Sequence, residues 1–170
     1  ALYKNQHGGD NTAIGANSLR FNEFGSGNIA IGGNALNSSN GSDNLGIGNA
    51  ALGNLIGSYQ SRIGDLNTSI GSSSLGYINN GKENTAIGYE AGSYAGSGTT
   101  PLTLINNSTF IGFKARAKNA TNDTNEMVIG YNAVGLGSNT TVIGNDDTVL
   151  TALHGAYANY ASNDAASATT

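Results

Sequence analysis

Hydrophobic residues recur along the chain in short clusters that are separated by polar stretches rich in Gly, Asn and Ser. The recurring cluster reads N-x-A-I-G-x-x-A-L, and eight copies are recognisable. Five copies begin with Asn, whereas three looser ones begin with Ser108, Glu126 and Thr140. The isoleucines of the eight copies are Ile14, Ile31, Ile47, Ile70, Ile87, Ile111, Ile129 and Ile143. Self-similarity of this kind is typical of repeat architectures.

The spacing of the isoleucines indicates the type of repeat. Most steps are close to the step from Ile14 to Ile31, and those from Ile47 to Ile70 and from Ile87 to Ile111 are clearly longer. The short period accommodates one or two strands with their turns but not a pair of helices. We therefore expect each repeat to form one coil of an all-β solenoid, in which stacked coils bury a continuous apolar core. We expect a repeat domain over 11–149, with insertions near 53–65 and 92–104.

Neighbouring residues of a strand face opposite sides, so the repeat also predicts an inside and an outside. We expect the eight isoleucines to fill the core of the coil and the residue before each one to face outward. Small outward residues favour close approach of another surface, which predicts a seam between chains; both faces belonging to one thin monomer is the alternative. The predicted seam residues are Ala13, Ala30, Gly46, Ser69, Ala86, Phe110, Val128 and Val142. The Gly after each Ile is expected to adopt a conformation that a Cβ would forbid.

Composition supports assembly and excludes several classes of function. The 170 residues include 26 Gly but no Trp or Cys, and only 11% are charged, so an isolated chain lacks the large side chains of a conventional enzyme core. A net charge of −4 argues against nucleic acid or an anionic membrane as a partner. No apolar stretch is long enough for a membrane span, which argues against direct membrane insertion.

The repeat resembles two groups of fibrous proteins. N-x-A-I-G-x-x-A-L is similar to the S-x-A-I-G-x-x-A head repeats of trimeric, YadA-like autotransporter adhesins. Runs of the type N-T-A-I-G-Y-x-A-L also occur in the shafts of bacteriophage and phage-like tail fibres. The resemblance covers about residues 11–144 and implies a left-handed parallel β-roll, a homotrimer and an adhesive or spacer role outside the cell. Most steps here are longer than the period of the adhesin heads, which only the step from Ile129 to Ile143 matches; this favours the fibre interpretation.

The two ends of the chain differ from the repeats. Residues 1–10 resemble the end of a preceding repeat, since Ala1-Leu2 matches the closing A-L of the motif. Residues 150–170 are rich in Ala and are predicted to form a short trimeric stalk or a linker. The stalk is suggested by a heptad-like spacing of Leu150, Leu153, Tyr157 and Tyr160.

Catalytic and metal-binding chemistry has little support in the sequence. The two histidines, His7 and His154, lie near opposite ends of the expected rod, which disfavours a catalytic arrangement within one chain. Asp146-Asp147 and Gly8-Gly9-Asp10 could supply oxygen ligands to calcium, but a solvated turn is the favoured explanation. We therefore expect no enzymatic activity, cofactor or metal site.

Binding residues are expected in the insertions, because loops added to a solenoid project from one face. Tyr59, Gln60 and Arg62 lie in the first insertion, and Tyr94 lies in the second. Such side chains stack on and hydrogen-bond to glycan or protein surfaces. The alternative is that these loops only cover the edge of a coil.

Together these features predict a structural and adhesive segment of a trimeric fibre. Its expected partners are two further copies of the chain and a host or surface receptor, either glycan or protein. We expect it on the surface of a virion or phage-like particle, as part of a tail fibre. The alternatives are a trimeric autotransporter head on the bacterial outer surface and a monomeric binding solenoid.

Overall fold

The computed structural model describes residues 1–55 and 64–149. These residues form an all-β solenoid of about seven turns, with parallel strands stacked coil upon coil and no helix in the described part. This confirms the prediction of a repetitive all-β solenoid. The strands are β1 (Thr12–Ile14), β2 (Ile29–Ile31), β3 (Leu45–Ile47), β4 (Thr68–Ile70), β5 (Thr85–Ile87), β6 (Tyr94–Ala95), β7 (Thr100–Pro101), β8 (Leu104–Asn106), β9 (Thr109–Ile111), β10 (Thr121–Thr124), β11 (Met127–Ile129) and β12 (Thr141–Ile143).

Eight of these strands form one parallel sheet, which we call the main sheet, in the order β1-β2-β3-β4-β5-β9-β11-β12. Its strands are all equally short, and each isoleucine pairs with the isoleucine of the next coil, as Ile14 does with Ile31. Backbone bonds continue past the strands, for example from Gly32 N to Ile14 O at 2.7 Å. The motif copies are therefore stacked residue for residue.

The second predicted insertion forms structure of its own. Strands β6 and β7 make a short antiparallel hairpin, and β8 then pairs in parallel with β10 of the following coil. The first insertion can be described only at its two ends. Its predicted binding residues Tyr59, Gln60 and Arg62 lie outside the described residues, as do His154 and the Ala-rich segment 150–170.

The structure overturns the predicted inside and outside of the coil. The middle residue of each main-sheet strand faces the interior, and the isoleucine after it faces outward. Ala86 is 0% exposed, for example, whereas Ile87 is 40% exposed and Ile14 is 58% exposed. The predicted seam residues thus line the core, fully buried in the middle coils (Ala30, Gly46, Ser69, Ala86, Phe110, Val128) and partly buried at the ends (Ala13, Val142). The predicted core isoleucines are exposed or half-buried (Ile14, Ile31, Ile47, Ile70, Ile87, Ile111, Ile129, Ile143).

The physical reason is the opposite wall of the coil, the segment that follows the Gly turn. Its buried leucines, Leu19, Leu36, Leu52 and Leu75, point into the coil and stack through bonds such as Leu36 N to Ala51 O at 3.0 Å. A Cβ added to Gly46 would lie 3.2 Å from Leu36 Cγ, so little space remains for the strand residue. Since this thin interior already holds a leucine, the strand contributes a small residue and isoleucine is excluded.

Sizes on the two walls change together in the last coils. Gly92 stands where earlier coils have leucine, and there the strand residue becomes Phe110, whose ring would lie 2.9 Å from a Cβ on Gly92. Phe110 is fully buried. Phe110 therefore fills volume that a leucine occupies in the earlier coils.

Asparagines form a hydrogen-bonded ladder inside the first five coils. The amide of Asn28 donates from Nδ2 to Asn11 Oδ1 (3.1 Å) and to Gly41 O (2.9 Å), and this pattern continues through Asn44, Asn67 and Asn84. The ladder satisfies buried backbone carbonyls as well as its own side chains. The leading Asn of the motif is therefore a structural residue.

The Gly after each Ile has the predicted conformation. Gly71, for example, has φ of +132°, and a Cβ built on it would lie 2.4 Å from Gly88 O in the next coil. A side chain at this position would separate neighbouring coils. The glycine is thus required both by the turn and by the coil spacing.

The first residues continue the stack. Leu2 N donates to Ser18 O at 3.0 Å, and Leu2 packs against the core, as the leucines of later coils do. Across the described ranges, no helix is both long and apolar enough to cross a membrane.

Candidate assembly face and binding cleft

The outer side of the main sheet presents an unbroken row of eight isoleucines, which we call the isoleucine face. The row runs in register through all eight strands. A second outward column, at the first residue of each strand, consists of Thr, Ile, Leu and Met. Neither column contains a charged residue. A contiguous apolar surface of this kind is typical of a protein–protein interface.

An aromatic ladder lies just beyond the isoleucine face. Tyr89, Phe113 and Tyr131 each follow the Ile-Gly pair of their coil, in three consecutive coils. Their rings stack with centroids 5.3 Å and 5.5 Å apart and interplanar angles of 17° and 14°. Lys114 Nζ lies 5.4 Å from the centre of the Phe113 ring and 3.4 Å from Glu90 Oε2. The aromatic ladder therefore lies between the isoleucine face and the ion pair of Lys114 with Glu90.

Three cations follow Phe113 within five residues. Lys114, Arg116 and Lys118 alternate in the sequence with Ala115 and Ala117, which are fully buried. Lys118 is exposed, and Lys114 and Arg116 are half-buried. They account for three of the seven Lys and Arg of the chain, so this segment concentrates positive charge on a protein with a net charge of −4.

Two cavities share Arg116 and Asn132 as lining residues, and we call them together the cleft. The first, about 140 Å³, is lined by Glu90, Tyr94, Ser97, Gly98, Lys114, Arg116 and Asn132. The second, about 240 Å³, is lined by Arg116, Asn132, Val134, Asn145, Asp146 and Asp147. Arg116 is held in place by a bond from Nε to Gly96 O (2.7 Å) and by a short contact of Nη1 with Asn132 Oδ1. The cleft therefore crosses successive coils, and Arg116 lines both of its parts.

Tyr94 is the one predicted binding residue that the structure describes, and it lines the first cavity. Its hydroxyl donates to Tyr77 Oη at 3.2 Å, and this bond, followed by burial, raises the pKa of Tyr94 to about 12. Glu90 acts in the same direction on Tyr89, because hydrogen bonding to that carboxylate raises the pKa of the Tyr89 phenol. Both phenols therefore remain protonated at neutral pH.

Of the other members of the cleft, the sequence analysis names only Asp146 and Asp147, as possible calcium ligands, and it misses Arg116 and Asn132. The available signal is the alternating run Lys114-Ala115-Arg116-Ala117-Lys118. A second signal is that Arg116 stands where earlier copies of the motif close with Leu, and the structure confirms this register, since Arg116 N bonds to Ala133 O as Leu75 N bonds to Ala91 O. An arginine thus occupies a register position that leucine occupies in earlier coils, and its side chain turns outward.

Glu126 is the most deeply buried carboxylate of the described residues. It is 1% exposed, its Oε1 accepts a bond from Gly137 N at 2.7 Å, and its Oε2 has no hydrogen-bond partner. Burial raises the pKa of Glu126 above its ordinary value, against the opposing effect of the Gly137 bond. Glu126 begins a motif copy, where five other copies have Asn.

The remaining candidates that the structure describes include His7 and the turn of Asp146 and Asp147. The ring of His7 stacks on Phe24 at 5.4 Å. Asp146 and Asp147 are exposed in a turn in which Asp147 N donates to Asn145 Oδ1. Within residues 1–55 and 64–149, no group of three His, Cys, Asp or Glu side chains lies close enough together to hold a metal ion.

Comparison with known proteins gives no match: no protein-family model, no curated protein and no solved structure is significantly similar to this chain.

Proposed function

We propose that this chain is a structural and adhesive segment of a homotrimeric extracellular fibre, of the kind found in phage or phage-like tail fibres. In this proposal the coils provide length, and the exposed outer surfaces display binding sites for a host receptor. The observation that carries the proposal is the isoleucine face.

The isoleucine face has the properties of a surface that is buried on assembly. Four of its side chains, Ile14, Ile87, Ile111 and Ile143, are more than a third exposed in the single chain. Full burial of such a side chain contributes about 1.5–3 kcal/mol. Because no charge lies on either outward column of the main sheet, association through it carries no penalty for desolvating an ion. Three copies facing a common axis would bury all three faces.

The same geometry suits an extended element. Parallel coils stack at about 4.8 Å per strand, so further repeats add length without changing the cross-section. The Gly turns and the asparagine ladder recur from coil to coil and maintain this cross-section. Longer loops, such as the hairpin of β6 and β7, change only the outer surface.

The arrangement of the coil also suits the display of a binding site on the outside of the fibre. The isoleucines lie on the strands of the main sheet, whereas none of the residues that line the cleft belongs to a main-sheet strand. Assembly through the isoleucine face would therefore leave the cleft accessible. The resemblance of the repeat to fibre shafts and adhesin heads is consistent with attachment at an exterior surface.

The proposal is tested by the mass of the purified full chain in solution. Sedimentation equilibrium at micromolar concentration is expected to give three times the chain mass of 17.1 kDa. A stable monomer at that concentration would contradict the proposal and favour a monomeric binding solenoid.

A further inference from the structure

We infer that a groove across the second, third and fourth motif copies binds a neutral oligosaccharide. The groove has a volume of about 310 Å³, more than either part of the cleft. The residues that line it include Asn34, Asn37, Gly53, Asn54, Gly76 and Tyr77. This inference rests on the proposed function and deepens it, because it names the chemical class of the receptor and the residues that recognise it.

Two glycines open the groove. Gly53 and Gly76 directly follow the closing Leu of their motif copies, the position that Arg20 and Asn37 occupy in the first two copies. Neither glycine has the positive φ that would favour Gly at this place. Because they carry no side chain, they leave free space in a stretch of the surface that Asn37 and Tyr77 also line.

The amides of the groove are oriented and keep free hydrogen-bonding groups. Asn34 Oδ1 accepts from Asn17 Nδ2 at 3.2 Å, and Asn54 Nδ2 donates to Gly76 O at 2.9 Å. Asn37 Nδ2 donates to Asn17 O at 3.0 Å. Within the described part of the chain, Asn34 Nδ2 and Asn54 Oδ1 have no hydrogen-bond partner. The groove therefore offers both a donor and an acceptor to a ligand, and a sugar hydroxyl can bond to either.

Tyr77 adds an aromatic surface. It is 38% exposed, and its ring is tilted against that of Tyr94 with the centroids 5.2 Å apart. Tyr77 Oη accepts from the Tyr94 hydroxyl at 3.2 Å, so the hydrogen of the Tyr77 hydroxyl is available to a ligand. An exposed ring beside fixed polar groups suits the mixed apolar and polar faces of a pyranose ring.

The composition of the lining disfavours other classes of ligand. None of the described lining residues is charged, so a charged ligand would lose hydration without gaining an opposite charge. Ala50 and Tyr77 supply the apolar side chains of the described lining, which is too little for the pockets that anchor the side chains of a peptide. A neutral oligosaccharide needs only amides for its hydroxyls and one ring for stacking.

The experiment is isothermal titration of the full chain with linear hexasaccharides of glucose, mannose, galactose and N-acetylglucosamine, all of them uncharged. We expect at least one to bind with a Kd of about 1 mM or tighter. Its affinity should not change with salt, because no charges are paired. Failure of all four to bind, or an affinity that falls as salt is added, would overturn the inference. Tighter binding of an uncharged decapeptide of Gly and Ser would do the same.

Filling the groove tests its location. Gly53→Asn should weaken binding of the hexasaccharide about tenfold or more. We expect the fold to accept this change, because Asn37 occupies the same position in the preceding coil. Gly9→Asn is the control, since a Cβ at Gly9 would have nothing within 4 Å and Gly9 lies outside the groove. Equal affinities of the two variants would contradict the site.

A second pair of variants tests the amides. Asn34→Ala removes the free donor and should weaken binding about tenfold. Ala50 has a φ of 54°, close to the 58° of Asn34, so alanine is compatible with this backbone conformation. Asn139→Ala is the control, because Asn139 is also exposed, has a φ of 62° and accepts one bond from another Asn, Asn125. A loss of the same size in Asn139→Ala would mean that the effect does not come from the groove.

Sedimentation of the same samples separates the two proposals. A trimer that binds none of the hexasaccharides overturns only the oligosaccharide site. A monomer that binds one of them, with loss of binding in Gly53→Asn, overturns only the trimeric fibre.

Discussion

Ile47 pairs in register with Ile70 on the outer face of the main sheet, although Gly46, one residue earlier, is buried in the coil. The pairing places two large apolar side chains next to each other on a surface that is accessible in the single chain. In the proposed trimer, assembly would depend on the isoleucine, whereas folding of the coil depends on the buried residue before it.

The first prediction concerns assembly. Ile47→Asp should convert the trimer to monomer at micromolar concentration, because symmetry would bury three unpaired carboxylates at several kcal/mol each. Asn49→Asp is the control, since it places the same charge on an exposed residue of the same coil. Sedimentation velocity measures whether each of the two variants is a trimer or a monomer. A trimer in both would show that the isoleucine face is not the interface.

The second prediction concerns the core. Ala86 is fully buried between Ser69 and Phe110 in the sheet register, so Ala86→Leu should lower the free energy of unfolding by about 1–3 kcal/mol through overpacking. Thr85→Leu, one residue away on the outer face, should have a much smaller effect. Urea denaturation at one fixed protein concentration measures both. Equal losses would refute the assignment of the two faces.

The third prediction concerns the asparagine ladder. Asn67 donates to Asn44 Oδ1 and Gly81 O and accepts from Asn84 Nδ2. Asn67→Asp removes both donors and introduces a buried charge, so it should cost about 3 kcal/mol or more at neutral pH. Part of the loss should be recovered at low pH, where the protonated carboxyl can donate. The exposed Asn80→Asp should change the midpoint of thermal unfolding little; a comparable drop there would argue against a special role of the ladder.

The fourth prediction concerns the Gly turn. Gly71→Ala should destabilise the fold by about 1–3 kcal/mol, because the φ of Gly71 is positive and an added Cβ would lie 2.4 Å from Gly88 O. Gly9→Ala is the control, since a Cβ at Gly9 would have nothing within 4 Å. Differential scanning calorimetry compares the two variants, and similar melting temperatures would disprove the packing argument.

The fifth prediction concerns pH. Since burial raises the pKa of Glu126 in the folded state, the folded protein holds this proton more tightly than the unfolded chain does. Stability should therefore fall as the pH rises from below the unfolded pKa to above the folded pKa, by about 1.4 kcal/mol for each unit of difference. Glu126→Gln removes this dependence while leaving Asp123 and Lys118 in place.

The measurement is the difference in unfolding free energy between parent and Glu126→Gln, obtained from urea denaturation at pH 4 and pH 8. Because the other titrating groups are common to both proteins, their effects largely cancel. The parent should become less stable relative to the variant at the higher pH. A change in the opposite direction would mean that the carboxylate is stabilised by its surroundings.

The repeat was sufficient to predict the solenoid, because so short a period accommodates only a coil of short strands and turns. It also predicted the Gly conformation, since only a residue without Cβ suits a turn that is repeated so closely. The role of Asn67 and its equivalents was missed. A leading Asn is compatible with an ordinary turn, and only the stacking of coils shows that its amide bonds to the next one.

The sequence pattern alone could not determine which side of the strands faces the core. Alternation separates Ala86 from Ile87, but either could point inward until the opposite wall is known. Leu75 and its equivalents lie in another segment of the coil, and their size leaves space only for the smaller strand residue. The cleft has the same origin, because Tyr94, Arg116 and Asn132 come from three successive coils.

The amino-acid sequence by itself determined the all-β repeat, its period and its turns, since these follow from local backbone preferences and from the similarity of each coil to the next. Only the tertiary structure decided which side of the sheet is core and which residues share a cleft. Those outcomes depend on the volume between two walls and on contacts between coils, which join residues that are distant in sequence.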